Sequence, residues 1–189
     1  MDSRVVDSVL GGGARSAIVI GEGEAISAAL RGRGLATAQS FETALPRPAV
    51  AVFVASQRPP PVLAADPVAD FRGRVGGDLK AAFVFLKQAT QVLRVGGEGG
   101  AVVFVAPRSD RAAHDSARQG LRLLVKSAAL ELGPEHIRVN IVLPGAGDSP
   151  LGPASTPGDI ADAVAFLASD RAIFVTGADL VVDGGRMVR

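Results

Sequence analysis

The chain has 189 residues, 48% of them hydrophobic, enough to bury the core of one domain. With 20 Lys and Arg against 19 Asp and Glu the net charge is +1 and no basic tract stands out, so charge gives no case for nucleic acid. Cysteine is absent and the only histidines, His114 and His136, form no ligand-like cluster, which excludes disulfides and thiolate chemistry and argues against zinc.

Residues 1–15 begin with Met1-Asp2-Ser3-Arg4 and end in Gly11-Gly12-Gly13, and read as a flexible leader rather than a secretory signal; residues 16–189 read as a single domain. No apolar run reaches membrane-spanning length, so a soluble cytoplasmic protein is expected. Residues 17–20 form a short apolar strand closed by Gly21-Glu22-Gly23, and residues 25–30 are helix-like. A weak strand signal follows at 34–38, and a strong one at 49–54, apolar and β-branched as a strand covered on both faces should be. Pro59-Pro60-Pro61 forces a stiff loop.

From 70 to 94 the residues Phe71, Val75, Leu79, Ala82, Phe83, Leu86 and Val92 recur at helical spacing, with Ala81, Val84 and Phe85 on a second apolar face. Residues 101–105 are the next buried strand. Residues 112–132 form a long helix with Ala117, Leu121, Leu124, Ala128 and Leu132 on one stripe and Leu123, Val125 and Leu130 off it. Strand 137–143 leads to Thr156-Pro157-Gly158-Asp159, a helix start with an N-cap hydroxyl, proline at the first helical position and an acid near the positive dipole end. A last strand at 179–182 is stopped by Asp183-Gly184-Gly185. Strands alternating with helices predict an α/β fold with a doubly wound, mostly parallel sheet of Rossmann type.

The run His114-Asp115-Ser116-Ala117-Arg118, the segment from Lys126 to Asn140, Leu143-Pro144-Gly145, and the stretch from Pro157 to Gly185 resemble the short-chain dehydrogenase/reductase family, in particular its 3-oxoacyl-carrier-protein reductases. The likeness is firm from about Asp70 onward and thins upstream. Between the strands near Leu35 and Ala49 there is too little chain for the helix, strand and helix that the resemblance implies. The sheet is therefore expected to be shortened in its N-terminal half, and the substrate lid reduced to residues 146–155.

The resemblance implies a catalytic Tyr-x-x-x-Lys, a serine that polarises the substrate carbonyl and an asparagine in a proton relay. This chain has no tyrosine. His114 stands for the tyrosine, Arg118 for the lysine, Pro107 or a displaced Ser109 for the serine, and Asp78 for the asparagine. The cofactor pattern Gly-x-x-x-Gly-x-Gly falls on Gly21, Ala25 and Ser27, and the alternative Gly-x-Gly-x-x-Gly fails at Ile26. Only Gly21 and Gly23 remain as a degenerate loop, with Glu22 and Glu24 beside the place where phosphates would lie. Val54-Ala55-Ser56-Gln57 replaces the Asn-Asn-Ala-Gly that the family carries, and Glu42 is at a distance suited to a ribose but reads as a solvated acid.

These losses lead to the expectation of a catalytically defective homologue, with no catalytic residue, no bound cofactor and no metal, acting as a structural or regulatory subunit. Its partner would be a second copy or a full-length reductase, reached, as the resemblance implies, through helices 70–94 and 112–132 and the C-terminal strand, where Val84, Phe85, Leu123 and Val125 either form a surplus apolar patch or simply pack on the sheet. No nucleic acid or membrane partner is expected. The alternative is an NAD(P)-dependent reductase of a 3-oxoacyl or other carbonyl substrate, with His114 as acid and Arg118 holding the cofactor. Against it, His114 is expected simply to front a helix in partial solvent. A third reading, a small-molecule sensor using the emptied cleft, has no positive sign in the sequence.

Overall fold

The structure, a computed structural model, describes residues 16–21, 23–32, 35–41, 48–56, 68–108 and 112–187. The expected leader, the triple proline, Glu22, Glu42 and Ser109 lie outside the described residues. In chain order the elements are β1 (Ser16–Gly21), α1 (Glu24–Arg31), β2 (Ala36–Ala38), β3 (Pro48–Val54), α2 (Val68–Gly96), β4 (Gly100–Val105), α3 (Ala112–Leu132), β5 (Ile137–Pro144), α4 (Pro157–Ala168) and β6 (Asp179–Val182). Short 3₁₀ turns at Gly133–Glu135 and Asp170–Ala172 follow α3 and α4.

The six strands form one parallel sheet in the order β2-β1-β3-β4-β5-β6. In keeping with the expected shortening, β3 is the next described strand after β2 and lies beside β1, and among the described residues no strand sits outside β2. Period-two alternation sorts the central strands between two cores. Val50, Val52 and Val54 of β3 join Val103 and Val105 of β4 under α1 and α4, whereas Ala51, Phe53 and Ala55 join Val102 and Phe104 under α2 and α3.

The second core is organised by rings. Phe85 of α2 stands with its centroid 5.6 Å from Phe41, 5.4 Å from Phe53 and 5.7 Å from Phe104, the last edge-on. The inward stripe of α2 is therefore Ala82, Phe85, Leu86, Ala89 and Leu93, and Phe83 and Phe71 face out. Likewise α3 buries Leu121, Val125, Ala128 and Leu132. Two of the four residues read as patch or sheet packing, Phe85 and Val125, are thus core residues, because α2 and α3 pack both on the sheet and on each other. Leu79 lies so close to Gly120 of α3 that a β-carbon there would be 2.8 Å from its side chain. Val84, Leu123 and Leu130 do remain exposed, joined by Phe83.

The start of α4 forms as its sequence predicts. Thr156 Oγ1 accepts from the Asp159 N–H at 3.2 Å, and the Asp159 carboxylate accepts from the Thr156 N–H at 2.7 Å, a reciprocal capping box with Pro157 at the first helical position. At the other end of the sheet β6 is tied to α3: Asp179 accepts from Arg122 at 2.7 and 3.1 Å and pairs with Lys126 at 3.2 Å. Burial alone raises the Asp179 carboxyl, but the hydrogen bonds and charges of Arg122 and Lys126 outweigh it and hold it below the ordinary aspartate value. A depressed carboxyl stabilises the fold above its unfolded pKa and loses that contribution as pH falls through the folded value. Asp179→Asn is therefore expected to lower Tm at pH 7 and to flatten the fall in Tm below about pH 4. Parallel Tm profiles for the two proteins across that range would show that the link carries no stability.

Candidate functional site

In a parallel α/β sheet ligands bind beyond the carboxyl ends of the strands, where the strand order reverses. Here the order reverses at β1, between β2 and β3. A cleft of about 530 Å³ opens there, lined by Val19, Gly21, Gly23, Glu24, Ala25 and Gln39. Its glycines serve packing. Gly21 has φ +102°, and a β-carbon on it would lie 1.9 Å from the Val54 carbonyl oxygen; one on Gly23 would lie 2.9 Å from both Val19 and Val54.

The first turn of α1 faces this cleft with Gly23 as an N-cap that has no side chain to offer. The Glu24 carboxylate occupies the turn, accepting from Arg31 at 3.0 Å and from Gln39. Those two hydrogen bonds hold it below the usual carboxylate range. Arg31 is further engaged by Thr37 at 2.9 Å. Ala25 puts a methyl where the resemblance implies bare backbone, and no lysine or arginine lines the cleft among the described residues. This donor set does not fit a dinucleotide pyrophosphate, which needs unobstructed N–H groups and positive potential at a helix start.

The second region lies at the carboxyl ends of β4 and β5. One helical turn apart on α3, His114 and Arg118 both point inward. Contrary to the expectation of partial solvent, His114 is only 2% exposed. Its Nδ1 lies 3.1 Å from the carbonyl oxygen of Arg108, and since a carbonyl only accepts, Nδ1 carries the proton.

Arg118 is 9% exposed, and its Nη1 donates to the carbonyls of Pro144 at 2.7 Å and Pro107 at 3.4 Å. Burial pushes the guanidinium below its ordinary value, partly offset by Asp115, although an arginine stays charged. Pro107, buried, contributes only that carbonyl. Asp78 is half-buried on α2, next to the Leu79 that packs on Gly120.

Arg108 was invisible to sequence reasoning, and it crosses the mouth of this region. Its Nη1 donates to Gly145 at 3.1 Å and its Nη2 to Ser155 at 2.6 Å, tying the exit of β4 to the exit of β5 and to the short segment before α4. The sole sequence signal was an arginine directly after Pro107 at a strand exit. The region thus brings together Pro107, Arg108, His114, Arg118, Pro144, Gly145 and Ser155. At positions 107, 114 and 118 it offers no hydroxyl or ammonium for proton transfer. Among the described residues no group of three or more His, Asp or Glu side chains is placed to hold a metal ion, and no helix is long and apolar enough to cross a membrane.

Comparison with known proteins places this geometry. Residues 146–186 match the family model described as enoyl-(acyl carrier protein) reductase. A trans-4-hydroxycyclohexanecarboxylate dehydrogenase from Sinomonas cyclohexanicum is 34% identical over 137 residues, 62% of this chain and 52% of that protein. An L-rhamnose 1-dehydrogenase (NAD(P)(+)) from Azotobacter vinelandii is 34% identical over 140 residues, 60% of this chain and 55% of that protein. The chain spans about half the length of the curated relatives it matches. Among solved structures, an acetoin dehydrogenase from Salmonella typhimurium superposes with a TM-score of 0.79 at 26% identity, covering 93% of this chain and 98% of that one. A short-chain dehydrogenase/reductase from Burkholderia xenovorans has the same fold, with a TM-score of 0.79 at 21% identity over 96% of this chain and 98% of that one. Sheet order and these relatives agree in one respect: the chain is similar in sequence and fold to the short-chain dehydrogenase/reductase family.

Proposed function

We propose that this chain is a catalytically defective member of that family and acts as a structural or regulatory subunit, paired with a second copy or with a full-length reductase in the cytoplasm. The observation that carries the reading is the use made of positions 114 and 118. His114 commits its Nδ1 proton to the Arg108 carbonyl and Arg118 bonds the carbonyls of Pro107 and Pro144 through its Nη1, so both act as staples between strand ends. The misfit of the α1 turn to a pyrophosphate supports the same reading, and no bound cofactor is part of it. Exposed Phe83, Val84, Leu123 and Leu130 on α2 and α3, with Val181 on the sheet-edge strand β6, are the surfaces offered to a partner.

The test is a native-mass measurement on protein taken from its own source, paired with sedimentation of the double variant Val84→Glu/Leu123→Glu. A dimer or a complex with a longer reductase is expected, dissociating to monomer in the variant while its Tm stays within a few degrees. A monomer at micromolar concentration, unaffected by the two charges, would remove the subunit reading.

The other reading, an NAD(P)-dependent carbonyl reductase using His114 and Arg118, draws on the dehydrogenase names of the relatives and on a cleft at the right end of β1. It requires turnover of a 3-oxoacyl thioester or simple ketone that disappears in His114→Ala.

A further inference from the structure

Arg118 presents a physical problem that its role as a staple does not solve. A buried cation is ordinarily paired, because removing it from water costs several kcal/mol even after relaxation. Among the described residues Arg118 has no carboxylate in ion-pair contact. The nearest acids act only at a distance: Asp115 is exposed in the first turn of α3, and both oxygens of Asp183 are taken, by the N–H groups of Gly185 and Met187 at 2.8 Å each.

The geometry of the guanidinium narrows what is missing. Both hydrogen bonds of Arg118 leave from Nη1. Nε and Nη2 lie along one edge of the planar group, the fork that matches the two oxygens of a carboxylate. These two donors have no partner among the described residues, yet they are not sealed away from solvent. Nearby, the guanidinium of Arg108 hangs from Gly145, the carbonyl next in sequence to the Pro144 that holds Arg118. The Ser155 hydroxyl, whose own main-chain carbonyl Arg108 grips, is buried without a hydrogen-bond partner.

We propose that the free Nε/Nη2 edge of Arg118 binds the carboxylate of a small organic acid at the carboxyl ends of β4 and β5. A monoanion is the better match, since one open fork beside Asp115 and Asp183 supplies a single positive charge and disfavours a dianion such as phosphate. The site goes beyond the subunit reading and gives it a means of regulation: a ligand that clamps β4 to β5 stabilises the folded subunit by mass action.

The probe is propionate, titrated at constant ionic strength against sodium chloride with Tm as the readout, and inorganic phosphate as a second arm. A saturable rise in Tm with a millimolar midpoint is expected, weakened at least ten-fold in Arg118→Lys, which keeps the charge and loses the fork, and unchanged in Arg31→Lys. Should Arg118→Lys not fold, the arginine Nε–H resonances of the unaltered protein give the same information, one of them shifting saturably with propionate. The proposal is overturned by no saturable response to propionate, the result also expected if a carboxylate of the chain itself fills the fork. Equal responses in Arg118→Lys, or phosphate acting where propionate does not, overturn it as well. Nucleotide binding and turnover are measured separately, so failure here leaves the subunit reading intact and failure there leaves this site intact.

Discussion

Gly21→Ala is expected to destabilise the fold by about 2–5 kcal/mol, made up of about 1–2 for a side chain forced into a left-handed conformation and about 1–3 for overpacking. The cause is local and specific: the new methyl would meet the Val54 carbonyl oxygen, itself part of the strand that pairs with β1. Since native domains are stable by about 5–15 kcal/mol, such a loss would leave a substantially unfolded population at modest urea. The midpoint of urea denaturation measures it. A change below about 1 kcal/mol would mean that the turn is not pinned against β3, and that its glycines are kept for a ligand and not for packing.

Phe85→Ala is expected to cost about 3–5 kcal/mol, as for other buried aromatic truncations. Phe85 is 2% exposed and touches the rings of Phe41, Phe53 and Phe104, so the cavity would open between α2 and the two central strands. Its neighbour Phe83, 59% exposed, serves as the contrast, and Phe83→Ala is expected to change stability by less than about 0.5 kcal/mol in the isolated subunit. Calorimetry on both variants decides the facing of α2. Similar costs for the two would mean that the helix is rotated from the position described.

That facing marks the limit of what the sequence could tell. The strands at 49–54, 101–105 and 137–143 were legible because fully covered strands are written as unbroken apolar, β-branched runs. The α4 start was legible because its capping residues act within one turn. Of the two readings of Phe85 and Val125, outer patch or sheet packing, the second holds, and the sequence could not choose between them. A helix that packs on a sheet and on a second helix buries a broad arc, and periodicity alone does not say which apolar residues lie at its rim. Only the contact with α3 and the Phe41–Phe53–Phe104 cluster fixes the arc.

At the candidate site it was the resemblance to Tyr-x-x-x-Lys that pointed to His114 and Arg118, and the structure does bring them to the same strand ends as Pro107 and Pro144. The sequence could not show that His114 is buried, nor that Arg108 spans the mouth. Both depend on how the exits of β4 and β5 approach each other, which no local pattern encodes. That no described strand lies outside β2 agrees with the sequence, in which residues 39–47 are too few to hold an additional strand and its helices.

On the function proposed above, the groups at the Gly21–Gly23 turn and at the ends of β4 and β5 hold the fold together instead of serving a dinucleotide. Titrating NADH and NADPH into the purified protein while following Tm tests it most directly, because a ligand at 100 times its Kd raises stability by about 2.7 kcal/mol. No saturable shift with either nucleotide is expected. A rise of several degrees that saturates and is lost in Arg118→Gln would overturn this and favour the reading of the chain as an active dehydrogenase like the relatives it matches.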